Sequence, residues 1–329
     1  MPITSLLDDG PPSPPDGDRV AAVVRYARIG ELTLPAPGAG DTTGRWRALA
    51  GWGRGDLPSA RLAEGHTDAL AILCEAGARP HPGAAYGVWA ARSGGTGANL
   101  RAGRLEGTVR FCSGANLLDR ALVVAAGPDG SQVIDLDLTV PGVRPVRGTW
   151  RAAGMEASDS TDVAFDGVLV DPATMIGPPG FYTGRPGFWW GGAGVAAVWL
   201  GGAAGVLDGV LAALGNDPDP HTLAAVGTLH TTVAATDALL LRLAAAIDAD
   251  PLHDHRGDVW TARAAAERTA RAIVDIGPEA AGVTGLSRHD GLAARIADLQ
   301  VFVRQHHGGR DLAALGGAVV EASRVREPV

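Results

Sequence analysis

The chain has 329 residues, of which 46% are hydrophobic and 19% charged, with a formal net charge of −8. All 28 basic residues are arginine, which excludes chemistry needing a side-chain primary amine, such as a lysine Schiff base, and a P-loop with its phosphate-reaching lysine. The acidic balance argues against nucleic acid as the main partner, and two distant cysteines, Cys74 and Cys112, give no disulfide framework and point to a reducing cytoplasm.

The N-terminus has no basic stretch leading into an apolar run, so no signal peptide is expected. Residues 1–20, with the run PPSPPDGD, read as a poorly ordered or surface arm. Helices are expected over 19–28 and 60–76, separated by a loop-rich stretch containing Pro35, Gly38 and the glycines of 51–55. Together these make 1–84 a shortened helical region rather than an independent domain.

Over 85–186 the texture changes to short β-rich runs, at 85–91, 105–112, 121–126, 132–138 and 163–170, separated by Gly, Pro, Asp and Asn. Pro128-Asp129-Gly130 suits a hairpin turn. Long Ala/Leu segments follow over 187–329, with helices expected at 193–214, 220–248, 257–276, 291–307 and 309–323. Asp219-Pro220 marks a helix start, a capping carboxylate before proline at the first helical position. Residues 188–207 carry no charge and meet the length of a membrane span. Six of those twenty are glycine and Asp208 follows at once, so a fully buried bundle helix, with no membrane span, is expected.

The segment 150–170, with Gly154, Ser158, Ser160, Phe165, Val168 and Val170 and then the turn Gly177-Pro-Pro-Gly180, resembles the end of the β-domain of acyl-CoA dehydrogenases. Gly107-Thr-Val-Arg-Phe111-Cys112-Ser113-Gly114 is similar to that family's Gly-x-x-x-Trp-Ile-Thr-Asn strand, and Ala297-Asp298 with the residues after it resembles the last flavin- and substrate-facing helix. The resemblance covers roughly 85–329. It implies an α+β fold with a short N-terminal helical layer, a middle β-barrel and a C-terminal four-helix bundle. It also implies a flavoprotein holding FAD, with FMN possible, assembled as a homodimer or homotetramer, acting on a small-molecule substrate such as an acyl thioester. The implied reaction is α,β-dehydrogenation with hydride transfer to the flavin. The alternatives are a flavin-dependent monooxygenase on the same fold and a catalytically degenerate binding subunit.

Carried over position by position, the resemblance assigns flavin contacts to Trp89, Phe111 and Ser113, with Phe111 in place of the tryptophan flanking the ring and Ser113 in place of the threonine near N5. Gly282-Val-Thr-Gly285 echoes the family's Gly-Gly-x-Gly loop, so Gly282 and Gly285 join them. The arginine that meets the FAD pyrophosphate has no counterpart in 216–221, leaving Arg92, Arg288, Arg304 and Arg310 as phosphate candidates, Arg310 foremost. The glycine-rich 93–97 lacks the spacing and the following helix of a dinucleotide fingerprint.

The family's glutamate base is also missing. Counting from Asp298 puts His306 at the usual position, with His307 one residue on; the other known position falls at Gly194 or Val195. With Leu292, Ile296, Leu299 and Val303 on one apolar face, a continuous helix would put His306 and His307 on its two shoulders, both able to look into the bundle, and histidine can act as base near neutral pH. An ordinary capping role before Gly308 is the competing reading. His253-Asp254-His255 lacks a third ligand, so no metal site is expected. His66 reads as a helix-surface histidine near Glu64 and Asp68, Glu156 and Asp159 as loop charges, and Cys112 as a small buried hydrophobe.

Overall fold

A computed structural model describes residues 5–8 and 18–325; most of the expected N-terminal arm lies outside the described residues. The elements in chain order are helices α1 (Arg19–Arg28), α2 (Thr42–Gly55) and α3 (Leu57–Glu75), then strands β1 (Tyr86–Trp89), β2 (Gly97–Arg101), β3 (Arg104–Cys112), β4 (Arg120–Gly127), β5 (Gly130–Asp137), β6 (Val143–Val146), β7 (Thr161–Leu169) and β8 (Met175–Ile176). Helices α4 (Phe181–Gly184), α5 (Gly187–Ala213), α6 (Pro220–Ala249), α7 (Arg256–Arg288), α8 (Leu292–Phe302) and α9 (Gly308–Val325) complete the chain. They form two compact units, one of 12–37 and 58–188, the other of 1–11, 38–57 and 189–329. Residues 1–84 are thus shared between the two.

In the β-bearing unit, the strands form one sheet in the order β6-β7-β3-β2-β4-β5-β8, with β1 pairing on β4. Among the described residues nothing pairs β6 with β8, so the expected barrel is an open sheet. Strand β4 is its centre: β1 and β2 run parallel to it, and β5 pairs antiparallel across the two-residue turn at Pro128-Asp129. Its apolar run feeds two cores by alternation. Ala121, Val123 and Ala125 point to a cluster with Trp89, Cys112, Val163 and Phe165. Leu122 and Val124 point to the other face, where Ala69, Ile72 and Leu73 of α3 pack. Residues without strand-like alternation still pair here: β2, β6 and β8 are recruited by their neighbours' ladders.

In the helical unit, α6 packs on α7, α7 meets α8 and α9, and α2 meets α6. Residues 42–55 are a helix, not a loop. Asp41 caps its start by accepting from the Gly44 amide at 3.0 Å, and the glycines that suggested a loop serve a close helix crossing instead. A Cβ at Gly53 would collide with the Val198 carbonyl oxygen, one at Gly201 with that of Ala50, and one at Gly205 with that of Arg54. Glycines on both α2 and α5 therefore let two backbones touch. Helix α5 has the length and apolarity to cross a membrane, yet 72% of its most apolar window is buried inside the protein. As expected, Asp219 caps α6, its carboxylate accepting from the amides of His221 and Thr222.

Candidate active site

Strand β3 is irregular where its chemistry lies. Its register on β7 shifts between Val109 and Cys112, and Phe111 sits in the left-handed region at φ 61°. That conformation costs a non-glycine residue about 1–2 kcal/mol. The bulge keeps Cys112 wholly buried, its thiol pushed up by burial, while the Phe111 ring stands out of the sheet at 48% exposure. The Arg110 guanidinium lies 4.9 Å from that ring's centre. An exposed aromatic on a strained bulge is the kind of flat apolar surface that could wall an isoalloxazine.

Ser113, two residues on, is buried. Its carbonyl accepts from the Trp89 indole at 3.2 Å, so Trp89 is a buried support for the strand rather than an open ring. The Ser113 hydroxyl ends a chain of serines. Ser158 Oγ lies 2.7 Å from the Met155 carbonyl, which can only accept. Ser160 Oγ must then donate to Ser158 Oγ at 2.8 Å, and Ser113 Oγ to Ser160 Oγ at 2.9 Å. The Ser113 proton is therefore turned inward, and its oxygen accepts from Arg61 Nε at 3.1 Å. This explains why Ser158 and Ser160, present in the sequence motif, matter: they orient Ser113.

Arg61 belongs to a buried charged cluster that the sequence reading did not single out. Its Nη1 donates to Glu64, one helical turn on. Burial, only partly countered by Arg61 and reinforced by Asp68, raises the Glu64 carboxyl to about 7. Tyr182 faces the same cluster and is pushed up to about 12, chiefly by burial. Its ring is flanked by Arg185, which pairs with Glu75 at 2.7 Å. His66 is buried rather than on the surface: its Nδ1 accepts from the Tyr86 amide at 3.1 Å, and burial lowers it to about 4. A hollow lies against Arg61, Gly65, Trp89 and Ser113. The available signal was the 3–4 spacing of Arg61, Glu64 and Asp68. On a half-exposed helix that pattern is a solvated face, and only the burial of Glu64 and its neighbours gives it another meaning.

The helical unit treats its expected residues differently. Helix α8 ends at Phe302 and a 3-10 turn covers Val303–Gln305, so His306 and His307 lie beyond the helix rather than on its shoulders. His307 is exposed. The His306 side chain is fully buried: Nδ1 gives its proton to Glu267 Oε2 at 3.0 Å, and Nε2 lies 3.5 Å from Asp311 Oδ2. Trp199 packs against the imidazole at 5.6 Å, with Arg263 over the indole. Hydrogen bonds from Arg271 and His306 outweigh burial and hold Glu267 below the usual carboxylate range. This imidazole ties the α8–α9 connection to α7 through Nδ1, while Nε2 is buried and makes no hydrogen bond to the described residues, the nearest acid being Asp311 of α9. Gly282 is non-helical at φ 62° and separates two helical stretches of α7, so the expected loop is narrowed to a break at Gly282, and Gly285, just after it, lets Ala281 and Ala213 approach. Arg310 is 81% exposed with Asp311 3.8 Å away. Arg92 is taken up by the Ala98 carbonyl and Asn99. His255 Nε2 donates to the Asp250 carbonyl at 2.9 Å, and among the described residues no three His, Cys, Asp or Glu side chains gather as metal ligands.

No protein-family model matches the chain, and no curated sequence does. Solved structures do. The TdsC protein of Paenibacillus sp. A11-2, in complex with FMN and indole, superposes with a TM-score of 0.75 at 21% identity, covering 94% of this chain and 90% of its own; TdsC is a dibenzothiophene monooxygenase. KijD3 in complex with FMN and a dTDP-linked amino-keto sugar gives 0.74 at 20% identity, covering 93% and 84%. A glutaryl-CoA dehydrogenase from Mycobacterium smegmatis in complex with FADH2 gives 0.75 at 15% identity, covering 93% and 95%. Over nearly its whole length, the chain has the acyl-CoA dehydrogenase-like fold shared by these flavin-binding proteins.

Proposed function

We propose that the protein is a flavin-dependent oxidoreductase that binds FMN or FAD against the Phe111–Ser113 edge of its sheet and oxygenates a small organic substrate. The observation that carries the flavin reading is Phe111, an aromatic ring held out of the sheet by a strained bulge beside the oriented Ser113 hydroxyl. When bound, a reduced flavin supplies two electrons to dioxygen, so that one oxygen atom enters the substrate and the other leaves as water. The chain's part is to wall the ring with Phe111, to present the Ser113 oxygen as an acceptor, and to keep that oxygen fixed through Ser160 and Arg61.

The oxygenase reading is supported by the likeness to a dibenzothiophene monooxygenase, and by the burial of the expected base, His306, whose Nδ1 is committed to Glu267. FMN is favoured by the absence of an arginine in 216–221, where two aspartates would repel a pyrophosphate. Dehydrogenation of an acyl thioester is the second reading; the likeness to a glutaryl-CoA dehydrogenase supports it. Turnover with an NADH-fed flavin reductase tests the two. Oxygen uptake coupled to product formation is expected, whereas anaerobic bleaching of bound flavin by an acyl-CoA would overturn the oxygenase reading in favour of the second. The proposal extends to a cytoplasmic homodimer or homotetramer, which sedimentation and cell fractionation test.

A further inference from the structure

None of residues 308–324 of α9 is buried, although most of them are apolar or small. Gly308, Asp311 and Leu315 are half-buried, on the side where α9 meets α7. At 100° per residue, Leu312, Gly316, Val319 and Val320 share an adjoining arc of about 100°. Leu312 is 43% exposed, Val319 60% and Val320 48%, and Arg310, Glu321 and Arg324 lie outside that arc. Gly316 is at its middle. A Cβ at Gly316 would meet nothing within 4 Å, so the chain's own packing does not call for glycine there, and glycine inside a helix is destabilising relative to alanine. Where α2 crosses α5, Gly53 and Gly201 let two backbones touch. Gly316 has the same character, on a face with no helix against it.

We propose that α9 is the contact face of a homodimer, in which the helix crosses its copy antiparallel at Gly316 and buries Leu312, Val319 and Val320 of both chains. The pattern about Gly316 is symmetric. Leu312 and Ala313 stand four and three residues before it, Val319 and Val320 three and four after it. A two-fold axis through Gly316 therefore maps the face onto itself, setting Leu312 against the partner's Val320 and Ala313 against the partner's Val319, an isologous contact. Other covers fit less well. The longest segment outside the described residues, 9–17, reads Asp-Gly-Pro-Pro-Ser-Pro-Pro-Asp-Gly and offers no apolar side chain beyond proline. A membrane-surface helix carries an excess of basic residues on its polar face, whereas here Arg310 and Arg324 are offset by Asp311 and Glu321. The area sets the strength. A helix of 18 residues crossing its copy buries on the order of 400 Å² per partner, about half that of a stable complex, so the dimer dissociates over the micromolar range. The inference rests on the assembly proposed above, whose face it names, and is independent of the flavin.

Sedimentation of the purified protein over a wide range of concentration tests this, and a monomer–dimer equilibrium in the micromolar range is expected. Val319→Asp combined with Val320→Asp places charge at positions exposed in the single chain. The pair should keep the melting temperature of the dilute protein and weaken dimerisation by at least about tenfold. Gly316→Ala separates assembly from folding by sign: it should raise the melting temperature of the dilute protein and weaken dimerisation several-fold. A dimer of undiminished strength in these variants overturns the proposal and leaves the assembly to another face. A natural chain that stays monomeric at every concentration overturns both. Vesicles of phosphatidylcholine and phosphatidylglycerol should not bind the protein; binding that the Val319→Asp, Val320→Asp pair abolishes would give the face to a membrane instead.

Discussion

Glu64 in the β-bearing unit and Glu267 in the helical unit each face an arginine, yet the two carboxyls are driven in opposite directions. Glu267 keeps 13% of its side chain exposed and accepts hydrogen bonds from both Arg271 and His306; it is held low. Glu64 keeps 4%, has Arg61 as its single cationic partner and Asp68 as a negative neighbour; it is driven up to about 7. Two donors and partial solvation make a permanent ion pair. One donor, deeper burial and a second acid make a group that exchanges its proton near neutrality. His306 hydrogen-bonds the carboxylate of the first kind, and the carboxyl that exchanges its proton near neutrality lies in the second.

The strongest way to break this contrast is to remove each arginine. Arg61→Gln leaves a buried carboxylate without its cation and should cost about 3–5 kcal/mol in urea unfolding at pH 8, and much less at pH 5, where Glu64 is protonated. Arg271→Gln should cost about 1 kcal/mol or less, because that arginine is 43% exposed. Equal losses would erase the distinction.

The pH dependence of stability sharpens it further. Glu64 binds a proton more tightly in the folded chain than in the unfolded one. Its contribution to stability is therefore largest at low pH and is lost as pH rises from about 4.5 to about 7. His66 is the reverse: held neutral down to about 4, it destabilises the fold below about 6.5 and ceases to as pH rises through that window. Two residues apart, they oppose each other, each by an amount on the order of 3 kcal/mol. Unfolding curves of the natural chain should thus show these two contributions largely cancelling between about pH 4.5 and 6.5. They should slope upward with pH in Glu64→Gln and downward in His66→Gln; parallel slopes in both variants would refute the assignment.

Packing supplies a smaller and independent contrast. Gly201→Ala drives a methyl into the Ala50 carbonyl and should lower stability by about 1–3 kcal/mol. Gly65→Ala, beside the hollow, should leave it unchanged or raise it by up to about 1 kcal/mol. Thermal melts of the two variants, run side by side, decide this.

Much of the fold was legible in the chain. The Arg19–Arg28 helix, the start of α6 at Asp219-Pro220 and the five apolar strands of the sheet follow from caps and periodicity. Helix α2 was hidden because its glycines read as loop, and their purpose appears only when α5 is set against them. His306 and His307 were misplaced because helical spacing was carried past Phe302, where the helix stops. At the candidate site, Phe111 and Ser113 are proposed from the motif, and the structure adds the bulge at Phe111 and the serine chain behind Ser113. The roles of Arg61, Glu64 and His66 were not legible, since burial decides whether a charged helical stripe is a solvated face or a reactive cluster. The exclusion of lysine chemistry stands, and it leaves arginine as the sole strong cation for an anion in this protein.

The central claim is that the Phe111–Ser113 edge holds a flavin. Equilibrium dialysis of the protein against FMN and FAD, read by the visible absorbance of the retained flavin, tests it most directly when run beside Phe111→Gly. That variant removes the wall while relieving a left-handed backbone strain of about 1–2 kcal/mol. It should melt no lower than the natural chain and retain little or no flavin, while the natural chain retains about one per protomer. A natural chain that takes up neither flavin, or a variant that binds it equally well, would contradict the account.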